Sequence, residues 1–201
     1  MEKPFWELTY KDKNVSTFSK NPTADVNEYA HILNNQSLVL DVGCGEGRNS
    51  IFLASKDHFV EAFDLSETGI EKAKEIARNM NLKIKFWSQD LVDSKFQKKY
   101  DVILSHGVLH LLEKKHRDSF ICEAQKNTKV GGFNFIGIFT NRLPASPDNA
   151  PFTKSLFDVG ELPDKYRGWE IIHHFEGTFQ DKHPGGIEHE HAYERLIARK
   201  I

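Results

Sequence analysis

The chain has 201 residues and a formal net charge of −2, and 39% of its residues are hydrophobic. This length and apolar content suffice for a core, so we expect a single domain over residues 1–201. The near-neutral charge and the lack of a long basic run argue against a nucleic-acid partner. Two cysteines are too few for a disulfide framework, and no apolar run of about 18 residues occurs. We therefore expect a cytoplasmic protein without a membrane partner, either a monomer or a homodimer.

A glycine-rich turn follows a short apolar run at residues 38–49, Leu-Val-Leu-Asp-Val-Gly-Cys-Gly-Glu-Gly-Arg-Asn. The apolar residues and Asp41 predict the end of a buried parallel strand. Gly43, Gly45 and Gly47 predict a tight turn into a helix whose first amides face a ligand. The dinucleotide fingerprint is G-x-G-x-x-G, whereas this turn is G-x-G-x-G, one residue tighter. The turn alone leaves open another nucleotide-binding variant or a plain strand–helix corner.

This stretch resembles motif I of the class I S-adenosylmethionine-dependent methyltransferases. The resemblance implies S-adenosyl-L-methionine as the cofactor, with the acidic residue and the glycine turn around its methionine part. The cofactor contacts expected here are Asp41, Gly43, Cys44, Gly45, Gly47, Arg48 and Asn49.

Strand and helix patterns alternate along the rest of the chain. Strands are predicted over 38–42, 59–63, 83–87, 100–104, 133–140, 169–175 and 192–199, and helices over 24–35, 46–56, 67–79, 114–128 and 155–166. This alternation predicts an α/β fold with a doubly wound, mostly parallel seven-stranded sheet. The resemblance implies a Rossmann-like class I methyltransferase fold, in which the last strand is antiparallel and lies between the fifth and sixth.

Polar side chains follow the second, third and fourth predicted strands. Asp64 lies about 20 residues after the glycines, where a carboxylate can accept both ribose hydroxyls. Asp90 is placed to accept the adenine amine, although a capping or plain loop aspartate is the alternative at both positions. Since parallel strand ends meet at one edge, Asp41, Asp64, Asp90 and Ser105 are expected to converge. The remaining candidate cofactor contacts are Asp64, Leu65, Gln89, Asp90, Leu91, Ser105 and His106.

Two segments point to the methyl acceptor. Residues 176–191 predict a histidine-rich hairpin in which His189 and His191 share one strand face. We interpret His183, His189 and His191 as bases or cationic anchors, and Arg142 as an anion-binding residue in the loop after the fifth strand. A metal site and a solvated hairpin are the alternatives, and we assign no metal ligand.

The amino-terminal residues 1–23 are polar with isolated aromatic side chains, among them Phe5, Trp6 and Tyr10. They predict either a tail packed on the domain or a lid over the cofactor. In a lid, the aromatic rings could favour the sulfonium charge by cation–π contact.

Four segments are similar to the bacterial tellurite-resistance methyltransferase family: Phe5-Trp6, 40–50, 157–169 and Ala198-Arg199-Lys200. The resemblance implies methyl transfer to a small soft nucleophile, either a tellurite- or selenite-type oxyanion or a small thiol. That family has histidine and arginine on the last hairpin, whereas this chain has histidines and few arginines there. The alternatives are a thiopurine-like or other small-molecule S-, N- or O-methyltransferase, and a non-catalytic module that binds S-adenosylmethionine or S-adenosylhomocysteine.

Overall fold

The computed structural model of this chain describes residues 3–182 and 188–201. The described strands are β1 (Leu38–Val42), β2 (Phe59–Asp64), β3 (Ile84–Ser88), β4 (Tyr100–His106), β5 (Thr128–Phe139), β6 (Glu170–Lys182) and β7 (Glu188–Arg199). They form one sheet in the order β3-β2-β1-β4-β5-β7-β6. Strands β1 to β5 pair in parallel, and β7 is antiparallel to both β5 and β6. The predicted doubly wound sheet, with its last strand inserted between the fifth and sixth, is confirmed.

Helices cover both faces of this sheet. They are α1 (Phe5–Tyr10), α2 (Ala24–Tyr29), α3 (Arg48–Ala54), α4 (Glu67–Asn79), α5 (Lys114–Asn127) and α6 (Glu161–Lys165), with 3₁₀ turns at Ala30–Ile32 and Leu109–Leu111. Alternate residues of a strand point to opposite faces, so each buried strand contributes side chains to two hydrophobic cores. Leu40 and Ile103 pack in the core that includes residues of α5 and α6. Val39 and Leu104 pack in the second core with Leu53 of α3.

Three predicted helices are wrong at their boundaries. The helix predicted over 46–56 begins only at Arg48, because Gly47 has a left-handed φ of 84° and is the residue before the first turn. The helix predicted over 24–35 ends at Tyr29 and continues as a 3₁₀ turn. The helix predicted over 155–166 is reduced to α6, because Phe157 instead forms a β-bridge with Thr140.

The carboxyl-terminal strands are longer than predicted. Strand β5 begins at Thr128, directly after α5, and both β6 and β7 run into the region predicted as a hairpin loop. Residues 176–182 and 188–191 are therefore paired strand, and the predicted site residue His183 lies outside the described residues. The polar amino-terminal segment contains the short helix α1, which the sequence pattern did not predict.

Candidate cofactor and acceptor site

The glycine turn lies at the carboxyl ends of two neighbouring strands. The Gly43 and Cys44 amides donate hydrogen bonds to the Phe63 carbonyl at 2.9 and 3.1 Å, which joins the ends of β1 and β2. Gly43 has a φ of 71°, and a Cβ atom there would overlap the side chain of Val108 in the loop after β4. The turn therefore needs glycine both for its backbone conformation and for the close approach of the β4 loop.

Asp64 faces this turn from the end of β2. Its Oδ2 accepts a hydrogen bond from the Gly45 amide at 2.8 Å, and its Oδ1 accepts one from the Ser66 amide at 2.8 Å. Burial raises the pKa of Asp64, and the backbone hydrogen bonds partly offset that rise. A carboxylate has about four acceptor positions, so two remain for the hydroxyls of a ribose. The amides fix the direction in which those positions point.

Asp41 lies at the end of β1 and is buried beneath the same turn. Its Oδ2 accepts a hydrogen bond from the Ser50 hydroxyl of α3 at 2.6 Å. Burial raises the pKa of Asp41 from 3.8 to about 6, although the Ser50 hydrogen bond acts in the opposite direction. A cation, such as the ammonium of a bound amino acid, would favour the ionised form of this carboxyl group.

The candidate adenine contacts lie at the next strand end. Asp90 Oδ1 accepts a hydrogen bond from the Val92 amide at 2.9 Å, and Gln89 Oε1 accepts one from the Trp87 indole at 2.6 Å. Leu65 is 69% exposed beside Asp64, so its apolar surface is available to cover a purine. Leu91 instead packs against the main core. The arrangement fits an adenine ring between β2 and β3, with Leu65 the better placed of the two leucines.

Ser105 and His106 end strand β4. The Ser105 hydroxyl is buried and has no hydrogen-bond partner among residues 3–182 and 188–201. The His106 ring lies over Gly137 of β5, where a Cβ atom would be 2.5 Å from His106 Cδ2. These two residues therefore bring a buried hydroxyl and an imidazole to the edge that β1 and β2 also reach.

The sequence pattern did not indicate Asp25 as the partner of His106, or Arg195 as a second partner of Asp25. Nε2 of His106 lies 2.7 Å from Oδ2 of Asp25 on α2, and both side chains are buried. Arg195 of β7 approaches the same carboxylate, with Nε 3.9 Å from Asp25 Oδ1. Burial alone would raise the pKa of Asp25, but His106 and Arg195 hold it well below its usual value. No spacing in the sequence connects these three residues, which lie in α2, β4 and β7.

Arg48 and Asn49 begin helix α3, but they play different parts in the structure. Asn49 Oδ1 accepts hydrogen bonds from the Thr23 amide at 2.8 Å and from the Thr23 hydroxyl at 3.2 Å. That contact fixes the start of α2 to α3. The Arg48 guanidinium lies 5.8 Å from the centre of the Phe18 ring, and burial lowers its pKa. Asn49 thus has a visible structural role, and Arg48 is the better candidate for a ligand contact.

The amino-terminal segment covers the glycine turn. A Cβ atom on Gly45 would overlap the Tyr10 hydroxyl, and Tyr10 is buried at the end of α1. At the other side of α1, the Trp6 ring packs edge-on against Phe152 at 5.5 Å. Helix α1 therefore spans from the glycine turn to the proline-rich loop after β5.

The hairpin residues that were predicted to contact the methyl acceptor lie past the end of β5. The His191 ring stacks on Phe139, with 4.4 Å between ring centres and an interplanar angle of 5°. His189 Nε2 lies 2.8 Å from His191 Nε2. Arg142 forms an ion pair with Glu176 at 2.7 Å and is about half exposed. The two described histidines thus lie together, whereas Arg142 lies in a surface pair.

The carboxyl ends of β1, β2, β3 and β4 are adjacent in the sheet, as the sequence predicted. Together they present a glycine turn, three carboxylates and a buried hydroxyl at one edge, a set that suits a nucleoside joined to an amino acid.

None of the helices in the described part of the chain is long and apolar enough to span a bilayer.

Comparisons with known proteins identify the family of this chain. A family model described as "Tellurite resistance protein TehB" matches residues 8–184. The protein named "Probable S-adenosyl-L-methionine-dependent methyltransferase TehB" of Haemophilus influenzae (strain 10810) is 32% identical over 202 residues, which cover 96% of this chain and 69% of that protein.

Two solved structures give the same result for the fold. The crystal structure of TehB from Haemophilus influenzae superposes with a TM-score of 0.79 and 28% identity, covering 90% of this chain but only 63% of the TehB chain. The magnesium protoporphyrin IX methyltransferase of Synechocystis, solved with bound S-adenosylhomocysteine, superposes with a TM-score of 0.66 and 18% identity, covering 88% of this chain and 80% of that one. The chain belongs to the TehB tellurite resistance protein family of S-adenosylmethionine-dependent methyltransferases.

Proposed function

We propose that this chain transfers the methyl group of S-adenosylmethionine to a small soft nucleophile. Among the acceptors that the sequence allows, a small thiol fits the geometry best. A tellurite- or selenite-type oxyanion is the second candidate. Helix α1 covers the glycine turn, and its Trp6 contacts Phe152 after the loop that follows β5. This covering of the strand ends favours a small acceptor over a macromolecule.

The buried pair of His106 and Asp25 carries this proposal. Nε2 of His106 lies 2.7 Å from Asp25 Oδ2, so in the neutral imidazole Nε2 carries the hydrogen and donates it to the carboxylate. Nδ1 is then the nitrogen that can accept a proton. His106 Nδ1 is buried and has no hydrogen-bond partner among the residues that the structure describes. A carboxylate that orients an imidazole and stabilises its protonated form is the arrangement of a general base.

A thiol acceptor uses this base directly. When bound, S-adenosylmethionine supplies a methyl group on a positively charged sulfur. The His106 Nδ1 atom takes the proton of the thiol, and the resulting imidazolium is stabilised by Asp25. S-adenosylmethionine, held by Asp41, Asp64 and the glycine turn, would supply its methyl group to this thiolate and would leave as S-adenosylhomocysteine. Two opposite charges disappear in that step, so a dry site with aligned reactants suffices.

An oxyanion acceptor would need a cation instead of a base. Arg195 supports this second candidate, because its side chain is only partly exposed and its contact with Asp25, at 3.9 Å, is looser than the 2.7 Å pair of Arg142 with Glu176. Arg142 is weaker in this role, because Glu176 already pairs with it at the surface. We keep His191 as an acceptor-side group because it is buried against Phe139, and His189 because its Nε2 lies 2.8 Å from that of His191. His183 lies outside the described residues, and its role on the acceptor side stays a prediction from the sequence alone.

The experiment that tests this proposal is an acceptor screen of tellurite, selenite and a small-thiol panel, read out as S-adenosylhomocysteine formed. With thiols, Asp25→Asn and His106→Gln should each lower kcat by about 100-fold, the size expected for loss of a general base. Calorimetric affinity for S-adenosylmethionine should change little. With an oxyanion acceptor, the two variants should have much smaller effects, and Arg195→Gln should raise KM.

Asp93→Asn is the matched control, since it makes the same chemical change at an exposed loop carboxylate. It should leave turnover of every acceptor unchanged. Wild-type thiol turnover in Asp25→Asn and His106→Gln would exclude the pair as the base. Cofactor binding without product from any acceptor would favour the non-catalytic module.

A further inference from the structure

Three metal-ligating side chains meet where the last two strands pair. Asp181 of β6 is the cross-strand partner of His189 of β7, and His191 follows two residues later on the same face. One ligand atom from each residue lies within 4.8 Å of the other two. Asp181 Oδ2 is 3.9 Å from His191 Nε2, and the two histidine Nε2 atoms are 2.8 Å apart.

Neighbouring groups fix the direction of both imidazoles. His191 is 4% exposed and stacks flat on Phe139. The His189 side chain is 6% exposed, and its Nδ1 lies 3.8 Å from Asp148 Oδ1 in the loop after β5. This distance is that of an ion pair and is too long for a hydrogen bond, but a carboxylate on the far side of the ring is the usual companion of a metal-binding histidine.

The contact between the two Nε2 atoms also favours a cation. Both atoms point at the same place, so without a metal ion one must carry the hydrogen and the other must accept it. In a tetrahedral zinc site with bonds of about 2.0–2.1 Å, two nitrogens lie roughly 3.3 Å apart. Small side-chain movements would therefore replace the shared hydrogen with a metal ion.

We propose that Asp181, His189 and His191 bind a divalent transition metal ion, with zinc the ion that fits best. Two imidazoles and one carboxylate form a ligand set that zinc, iron and cobalt accept. From the sequence, a metal site in this hairpin was only an alternative and no metal ligand was assigned; the pairing of β6 with β7 now places Asp181 beside the two histidines. This proposal does not depend on the identity of the methyl acceptor.

The test is binding of zinc to the full chain after chelator treatment and dialysis. Calorimetry with ZnCl₂ should give one ion per chain in the wild type. His189→Gln and His191→Gln should each weaken that binding by about 100-fold or more, and Asp181→Asn by about 10-fold or more, by analogy with the losses seen around metal sites. Cobalt in place of zinc should give visible d–d absorption that these variants lose.

Two further measurements distinguish a loss of metal binding from a folding defect. Zinc should raise the melting temperature of the wild type but not of the three variants, since an ion that binds only the folded chain stabilises it. His31→Gln, which changes an exposed histidine outside the cluster, should bind zinc like the wild type. Equal zinc affinity in the wild type and in folded His189→Gln, or an equal loss in His31→Gln, would overturn the proposal.

Discussion

Lys72 Nζ lies 2.8 Å from Glu46 Oε2, and both side chains are only 6% exposed. Glu46 belongs to the glycine turn and Lys72 to helix α4. The same ammonium donates to the Thr9 and Asp12 carbonyls at 3.3 and 2.9 Å. Glu46 Oε1 accepts from the Thr17 amide at 2.8 Å. One buried ion pair therefore fixes the amino-terminal segment to the turn that is expected to hold the cofactor.

Removing only the cation should be costly. Lys72→Met leaves the Glu46 carboxylate buried without its charge partner, and it also frees the carbonyls of the amino-terminal segment. Breaking a buried pair from one side costs about 3–5 kcal/mol. We expect a loss of that size in the free energy of unfolding, measured by urea denaturation and accompanied by faster proteolysis before residue 20.

Lys13→Met is the control, because Lys13 pairs with Glu75 at 2.6 Å but is 71% exposed. A surface pair contributes about 0–1 kcal/mol, so this variant should remain close to wild type. Adding Glu46→Gln to Lys72→Met should restore part of the lost stability. If Lys72→Met were as stable as Lys13→Met, the pair would have no such anchoring role.

Asp41 should make the cofactor-free protein less stable as the pH rises. Burial raises its pKa in the fold to about 6, against 3.8 for an aspartate in the unfolded chain. Its contribution to stability is therefore fully present below pH 3.8 and is lost as the pH rises through 6. A difference of about two pKa units corresponds to at most about 3 kcal/mol. Asp41→Asn cannot ionise and should be more stable than wild type by up to that amount at pH 7.5.

The comparison is made by urea denaturation of both proteins at several pH values, so that other titrating groups cancel. The stability gained by Asp41→Asn should shrink toward zero near pH 4. Its affinity for S-adenosylmethionine should fall, because the turn loses its buried charge. A stability difference that is the same at pH 4 and pH 7.5 would show that Asp41 does not titrate in this range.

The strand-end part of the site was predictable from the sequence, because a parallel sheet brings chain-distant strand ends to one edge. The pattern of apolar runs placed Asp41, Asp64, Asp90 and Ser105 at those ends, and the observed strand order makes the ends of β1 to β4 neighbours. That inference needed only the direction of the strands. It did not require knowledge of any side-chain contact.

Contacts between residues far apart in the chain could not be read in this way. Asp25 is one carboxylate in a six-residue helix, and its partner His106 lies 81 positions later. From the sequence, Lys72 is an ordinary exposed helix residue, whereas in the structure Glu46 and the carbonyls of the amino-terminal segment surround its ammonium group. The longer β6 and β7 strands were also missed, because their alternating residues are mostly polar and only pairing orders them.

Asp64 should contribute to cofactor affinity with little effect on turnover at saturating cofactor. Asp64→Ala removes the acceptor for the ribose hydroxyls and also leaves the Gly45 and Ser66 amides without their partner. Loss of hydrogen bonds to a charged group costs about 1.5–3 kcal/mol, so affinity for S-adenosylmethionine should fall about 10- to 100-fold by calorimetry. Asp93→Ala, at an exposed loop position, is the control. Unchanged affinity in Asp64→Ala would exclude the ribose role.

Helix α1, which covers the glycine turn like a roof over the proposed cofactor site, should control how fast the cofactor dissociates. Trp6 joins α1 to the proline-rich loop through its contact with Phe152, whereas Leu8 on the same short helix is 59% exposed. Aromatic pairs contribute about 0.5–1.5 kcal/mol beyond their buried area, so Trp6→Ala should loosen the roof without unfolding the domain. We expect S-adenosylhomocysteine to dissociate about 10-fold faster from Trp6→Ala, as measured by stopped-flow displacement. Leu8→Ala should release it at the wild-type rate, because more than half of that side chain is exposed to solvent. Equal release rates in all three proteins would mean that the amino-terminal segment is a packed tail, and that exchange of the cofactor takes place elsewhere along the sheet edge.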